Sequence, residues 1–126
     1  MTTEHKTPEQ QAEAARAMIK AVHEDKCATI NGRDYQLTSI NHIKRRKVFA
    51  FFSRIQGDLQ RGDFWWLDSK DWAEVEKVIE NCVTYNGDLI SRRERHWEEF
   101  PQDYILFVQT MLGALSFPFL PENAGD

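Results

Sequence analysis

Histidine and cysteine side chains are typical zinc ligands, and this chain contains both. The four histidines, His5, His23, His42 and His96, lie in four separate segments. His23 and Cys27 are four positions apart, a spacing that suits two zinc ligands on one face of a helix. However, the helix is expected to end between them, and the sequence offers no second pair of ligands. We therefore predict no metal site and no cofactor.

A nucleophilic cysteine needs a general base that the fold brings next to it. Cys82 lies in an apolar stripe, where burial would raise its pKa and leave the thiol inert. Cys27 begins an extended segment in which no neighbouring residue would activate it. The two cysteines form no CxxC motif and are predicted to be reduced core residues.

Motifs of common enzyme classes are also absent from the sequence, which has no GxGxxG, GKS, GKT, GxSxG or HExxH. Acidic residues do occur together, but at the spacing of one face of a helix: Asp71, Glu74, Glu76 and Glu80. Such a face is typical of a solvated surface or of one side of an ion-pair seam. We predict no catalytic residues and no enzymatic activity.

A basic segment is the feature that could bind nucleic acid. Lys44–Lys47 are all basic and are followed by Phe49, Phe51 and Phe52. Phe51 and Phe52 belong to the apolar face of the predicted helix, and the next helix is acidic. The net charge of −4 and the pI near 5.6 also disfavour nonspecific binding to nucleic acid. A small DNA-binding or regulatory protein that uses the basic helix 40–56 is the alternative function.

Four aromatic side chains are the candidate partner-binding residues: Phe49, Phe64, Trp65 and Trp66. Phe64, Trp65 and Trp66 are adjacent, so they cannot all face the core. Phe49 falls outside the apolar half of its helix. Exposed aromatic residues are typical of protein interaction sites. The alternative is that both tryptophans cover a flank of the core.

The elements that position these residues are mostly helices. Apolar periodicity predicts one mainly α domain over 8–120, with flexible ends at 1–7 and 121–126. The expected helices are 8–23, 40–56, 70–84 and 102–116, with a shorter one over 91–100. The last is apolar on most sides. A length of 126 residues, with 41% hydrophobic and 29% charged residues, suits one modest core.

Capping and turn residues set the expected boundaries. Thr7 is predicted to cap the first helix, Thr38 or Ser39 the second, and Asp68 or Ser69 the third. Gly57 is expected to end the second helix. The pair Asn31-Gly32 predicts a type I′ turn within a hairpin at 28–37, which is the only β element expected.

The sequence gives no sign of membrane insertion. No apolar run approaches the length of a membrane span, and the first residues, MTTEHKTPEQ, do not resemble a signal peptide. We expect a cytosolic protein without membrane partners.

Residues 28–35, ATINGRDY, resemble the strand, NGR-x-Y, strand opening of tail assembly chaperones from long-tailed (siphovirus-type) bacteriophages and prophages. The helix that follows, the acidic helix that begins at residues 69–72, SKDW, and the closing segment from PxDY at 101–104 to FPFL at 117–120 resemble the same family. The resemblance covers about residues 27–120 and leaves out the Ala-rich helix at 8–23.

This resemblance implies a non-catalytic assembly factor without a cofactor. Such chaperones bind the tape measure protein and assist assembly of the tail tube around it during viral tail morphogenesis. In many of these phages, a frameshifted longer product recruits the tail tube protein. The implied location is the bacterial host cytoplasm, and the implied protein is absent from the finished virion.

Charge also predicts self-association. The basic helix 40–56 and the acidic helix 70–84 would then face each other across subunits of an oligomer.

Overall fold

Five α-helices and a small antiparallel sheet form the part of the chain, residues 8–120, that a computed structural model describes. The helices are α1 (Pro8–Asp25), α2 (His42–Gln60), α3 (Lys70–Glu80), α4 (His96–Glu99) and α5 (Tyr104–Ser116). The strands are β1 (Cys27–Ile30), β2 (Arg33–Leu37), β3 (Val83–Tyr85) and β4 (Asp88–Leu89). The mainly α class is confirmed. The predicted cap Thr7 and the predicted flexible ends lie outside the described residues.

The hairpin predicted at 28–37 forms as β1 and β2. Asn31 and Gly32 join the strands with φ values of 51° and 81°, as a type I′ turn requires. Ala28 lies opposite Tyr35 in the antiparallel pair. Alternate residues face the core, so Ala28, Ile30 and Tyr35 are buried.

A second hairpin, which the sequence analysis missed, adds β3 and β4 to the sheet. Its turn is Asn86-Gly87, with φ values of 53° and 84°. β3 pairs with β2, which gives the strand order β1-β2-β3-β4. The prediction of a single β element is therefore wrong, as is the prediction of a helix that continues to residue 84. α3 ends at Glu80 because the backbone of 83–85 pairs with β2 instead.

α2 begins two residues later than expected. Asn41, rather than Thr38 or Ser39, is the cap, and its side chain accepts a 2.9 Å hydrogen bond from the N–H of Lys44. Thr38 has another partner. Its N–H and its hydroxyl both donate to the carbonyl of Cys82, at 2.7 and 3.0 Å. The chain is therefore tied to the start of β3 before α2 begins.

The predictions for two further helix boundaries, the end of α2 and the start of α3, have different outcomes. Gly57 lies inside α2, which continues to Gln60, and Gly62 with a φ of 76° follows the helix. Ser69, not Asp68, caps α3 by accepting a 3.1 Å hydrogen bond from the N–H of Trp72. One of the two predicted caps for this helix is thus confirmed.

α5 is the centre of the core and packs against α1 and α2. Most of its side chains are buried: Phe107, Val108, Thr110, Met111, Leu112, Gly113, Ala114, Leu115 and Ser116. The predicted all-round apolar character of this helix therefore corresponds to burial on several sides. α3 packs on another side of α2 and buries Trp72, Val75 and Ile79, whereas Val78 is only partly buried.

The basic residues of α2 and the acidic residues of α3 meet within one chain. Nζ of Lys47 lies 2.9 Å from Glu74, and the guanidinium of Arg54 lies 3.0 Å from Asp71. These side chains are well exposed, so each pair contributes about 1 kcal/mol or less. These four residues are thus paired within the chain, and self-association through the two helices stays a prediction.

The C-terminal half of the acidic face of α3 is partly buried against aromatic residues. Glu76 accepts a hydrogen bond from the hydroxyl of Tyr104, and Glu80 accepts one from the indole of Trp97 at 3.0 Å. Burial raises the pKa of Glu80. These bonds join α3 to α4 and α5. Within residues 8–120, no helix has both the length and the apolarity needed to cross a membrane.

Candidate functional site

The predicted aromatic cluster divides between the core and the surface. Trp66 is completely buried. Its ring lies 5.2 Å from that of Trp72 and 5.7 Å from that of Phe51, and half-buried Phe64 packs on it at 6.0 Å. Trp66 is therefore a core residue, and its predicted role as a partner-binding residue is corrected.

Trp65 is the exposed member of the cluster, with 67% of its surface accessible. Its indole N–H donates a 3.1 Å hydrogen bond to Asp58 near the end of α2, which fixes the orientation of the ring. Phe49 is half-buried and packs on Phe119, with ring centroids 5.3 Å apart. Of the four predicted partner-binding residues, Trp65 alone presents a large aromatic surface to solvent.

An apolar groove of about 690 Å³ lies among α1, α2 and α5. Its apolar lining is formed mainly by Met18, Ile19, Phe52, Leu59, Leu106 and Leu120. Met18 and Leu106 are 56% and 48% exposed, so the groove is open to solvent. Its polar lining is nearly neutral: Glu13, Arg16, Gln56, Gln60, Gln109 and Thr110. Apart from Leu120, the lining residues come from three helices far apart in the sequence. The signal in the sequence was the apolar face of the first helix.

A buried polar network is the second notable site, and Asp103 is its centre. The Asp103 carboxylate is inaccessible to solvent. It accepts hydrogen bonds from Nε and an Nη of Arg33 at 2.6 and 2.8 Å, from Asn31 at 2.8 Å, and from the Tyr35 hydroxyl at 2.7 Å. The Arg33 side chain, through these bonds, holds the pKa of Asp103 far below its usual range. This network fastens the first hairpin to the start of α5.

His96 extends the network toward α4. Its Nδ1 accepts a 3.1 Å hydrogen bond from Arg93, and its Nε2 lies 2.8 Å from the Tyr35 hydroxyl. Because Arg93 can only donate, and because Tyr35 donates to Asp103, His96 must be neutral with its proton on Nε2. Burial, together with Arg93, lowers the pKa of His96.

This Tyr–His–Asp arrangement is closed to solvent. Tyr35, His96 and Asp103 are each at most 1% exposed, so a substrate cannot reach them. Burial raises the pKa of the Cys82 thiol to about 11, and burial also raises that of Cys27. No group of three histidine, cysteine, aspartate or glutamate side chains among the described residues could hold a metal ion. The network is therefore best described as structural.

The motifs that carried the family resemblance meet in this network. Asn31, Arg33 and Tyr35 belong to NGR-x-Y, and Asp103 belongs to PxDY. These residues therefore connect two segments that are about 70 positions apart in the sequence. No protein family, curated protein or solved structure matches the chain. The resemblance to tail assembly chaperones stays a prediction.

The basic segment of α2 is partly engaged within the molecule, whereas Lys44 and Arg46 are exposed. Besides Lys47 and Arg54, Arg45 is half-buried and donates a 3.1 Å hydrogen bond to the carbonyl of Leu115, at the end of α5. Arg61 pairs with Asp58. A nucleic-acid surface needs several cations directed to solvent. The alternative function, nucleic-acid binding by helix 40–56, stays a prediction.

Proposed function

We propose that this protein is a non-catalytic chaperone of phage tail assembly. In this proposal, it binds helical segments of the tape measure protein in the bacterial cytoplasm, assists tail tube assembly, and leaves before the virion is complete. The observation that carries the proposal is the open apolar groove among α1, α2 and α5. The family resemblance of residues 27–120 supplies the identity of the client.

The groove suits an amphipathic helix. Such a helix binds by inserting apolar side chains spaced three and four residues apart into a hydrophobic groove. The walls of the groove that α2 and α5 form offer exposed Leu106, with buried Phe52 beneath. Burial of one such exposed side chain contributes about 1.5–3 kcal/mol before the cost of ordering is subtracted. A few contacts of this size give binding that is specific yet reversible, as a chaperone that is later displaced requires.

The charge of the groove favours a client that is recognised through apolar contacts. Three of the groove's polar residues are neutral glutamines, Gln56, Gln60 and Gln109. Binding through such a surface should depend weakly on salt, because ionic screening acts on charges. This distinguishes the proposal from nucleic-acid binding, whose affinity falls steeply with salt.

Co-expression with the tape measure protein tests the proposal. Leu106→Glu should place a charge in the groove and lower the affinity about thirtyfold or more, the effect of losing an anchor of at least ~2 kcal/mol. Ile43→Glu is the matched control, because Ile43 is 66% exposed on α2 and does not line the groove. Circular dichroism should show both variants folded.

Equal binding by the two variants would contradict the groove as the client site. A loss in the variant Trp65→Ser, with Leu106→Glu unaffected, would move the site to the exposed tryptophan. If the unmodified protein fails to co-purify with the tape measure protein, the proposed function itself is wrong. A tube-protein gene upstream and a very long tape measure gene downstream would support it.

A further inference from the structure

α1 is seated shallowly on the core. Among residues 13–25, Val22 is the only buried side chain, and Ile19 is half-buried. Met18 is 56% exposed, although it belongs to the same apolar face. α2, by contrast, buries four apolar side chains. α1 therefore covers α5 with few side chains, and a helix docked in this way is the one most easily displaced.

α1 and α5 approach each other closely at Gly113. A Cβ atom added to this glycine would lie 2.6 Å from Cδ1 of Ile19. Glycine weakens the interior of a helix, but here its missing side chain leaves a notch that a branched apolar residue fills. The absence of a side chain at Gly113 thus allows a second helix to pack closely on this face of α5.

This face and the open groove are continuous. Ile19, which fills the notch at Gly113, also lines the groove together with Leu106 and Thr110 of α5. α1 consequently covers one part of a longer apolar surface and leaves the rest open. A helix that enters the groove lies directly beside α1.

The connection behind α1 is a single strained residue. Lys26 alone separates α1 from β1, and its φ of 58° is the left-handed conformation that favours glycine. Its N–H bonds to the carbonyl of Val22 at 2.9 Å, and its carbonyl accepts from Leu37 at 2.8 Å. The carbonyl of Lys26 is therefore bonded to β2, and its N–H is bonded to α1.

We propose that α1 covers part of the apolar surface of α2 and α5 that a partner's amphipathic helix uses, and that α1 is displaced when the partner enters the groove. This inference rests on the proposed function and specifies its mode of binding. The partner helix would present a branched apolar residue to the notch at Gly113, as Ile19 does in this structure. α1 is thus an internal competitor that keeps the face covered until a client arrives.

A synthetic peptide of residues 8–25 provides the probe, because it contains the helix that fits the face. Val22→Asp in the full-length chain should release α1, since a carboxylate replaces a buried valine. We expect this variant to bind the labelled peptide at least tenfold more tightly than the unmodified protein in a fluorescence anisotropy titration. Ala21→Asp is the matched control, because Ala21 is exposed on the same helix and its substitution should leave peptide affinity unchanged.

Hydrogen exchange gives a second measurement that does not depend on the variant's folding. In the unmodified protein, excess peptide should accelerate exchange of the α1 amides and leave those of α5 protected. A peptide that itself carries Val22→Asp should do neither. Equal peptide affinity of the Val22→Asp and Ala21→Asp proteins, or α1 exchange unaffected by the peptide, would overturn the inference. Neither result would bear on co-purification with the tape measure protein, which tests the proposed function separately.

Discussion

Replacement of Asp103 by asparagine is the sharpest test of how the fold is held together. The substitution keeps the shape of the side chain but exchanges one acceptor oxygen for an amide that donates. That amide would face Arg33 or Tyr35, both of which also donate to this position. The variant thus loses hydrogen bonds and leaves the Arg33 guanidinium without its carboxylate.

The magnitude follows from burial. Removal of one partner from a buried ion pair typically costs about 3–5 kcal/mol. Asp103 is inaccessible to solvent, whereas the Arg33 side chain is 20% exposed and can recover part of its hydration. We therefore expect Asp103→Asn to lower the free energy of unfolding by about 3 kcal/mol. This is a large share of the ~5–15 kcal/mol of a typical domain.

Urea denaturation at neutral pH measures this loss. Asp34→Asn is the control, because Asp34 is exposed and bonds only to Thr29 among the contacts described; its effect should stay below about 1 kcal/mol. The double variant Arg33→Met, Asp103→Asn should lose less than the sum of the single variants, since neither partner is then left alone. Equal losses for Asp103→Asn and Asp34→Asn would refute the central role of the network.

Acid adds an independent check. The pKa of Asp103 is lowered in the folded state, so its contribution to stability is complete above the unfolded value near 3.9 and is lost as the pH falls below it. The unmodified protein should therefore lose stability steeply below about pH 4, and Asp103→Asn less so.

Three further outcomes are expected. Because the pKa of His96 is lowered in the folded state, the stability that it contributes should be complete above about pH 6.5 and fall as the pH drops below that value. The urea midpoints at pH 7.5 and at pH 5.5 should therefore differ less in the variant His96→Gln than in the unmodified protein. Ile79→Ala should lower the free energy of unfolding by about 2–5 kcal/mol in the same assay. Lys77→Ala, at an exposed position of the same helix, should change it little. Similar effects of the two substitutions would mean that the buried face of α3 is misassigned. In thermal melts, Trp66→Ser should destabilise the fold severely and Trp65→Ser only slightly; the reverse order would contradict their burial.

The sequence predicted the elements that depend on local patterns. The helices appear near the expected segments, and Asn31-Gly32 forms the expected hairpin because its φ values are set by the turn itself. Asn86-Gly87 carries the same signal. In the sequence, however, this pair follows a helical stripe that Cys82 and Val83 continue, so it resembles the end of a helix. Pairing with a distant strand decided the conformation there, and a local pattern does not record such pairing.

The candidate site was harder to predict for the same reason. Trp65 and Trp66 are adjacent and chemically identical, yet one is exposed and the other buried. The difference depends on how α2 and α3 pack around the segment between them, residues 61–69. The groove likewise combines Met18, Leu59 and Leu106 from three helices. Periodicity indicated that each helix had an apolar face but gave no sign of which faces would remain uncovered.

The buried network also constrains the order in which this chain can fold during synthesis. Asp103 is 70 positions after Arg33, and β2 must wait for β3 before the sheet can extend. Ribosomes add about 5–20 residues per second. For several seconds of synthesis, Arg33 and Tyr35 of the first hairpin therefore lack the Asp103 carboxylate to which they bond in the finished protein. A nascent chain that stalls before α5 leaves the ribosome lacks both the central helix and this connection, and we expect it to be degraded by proteases that spare the finished protein.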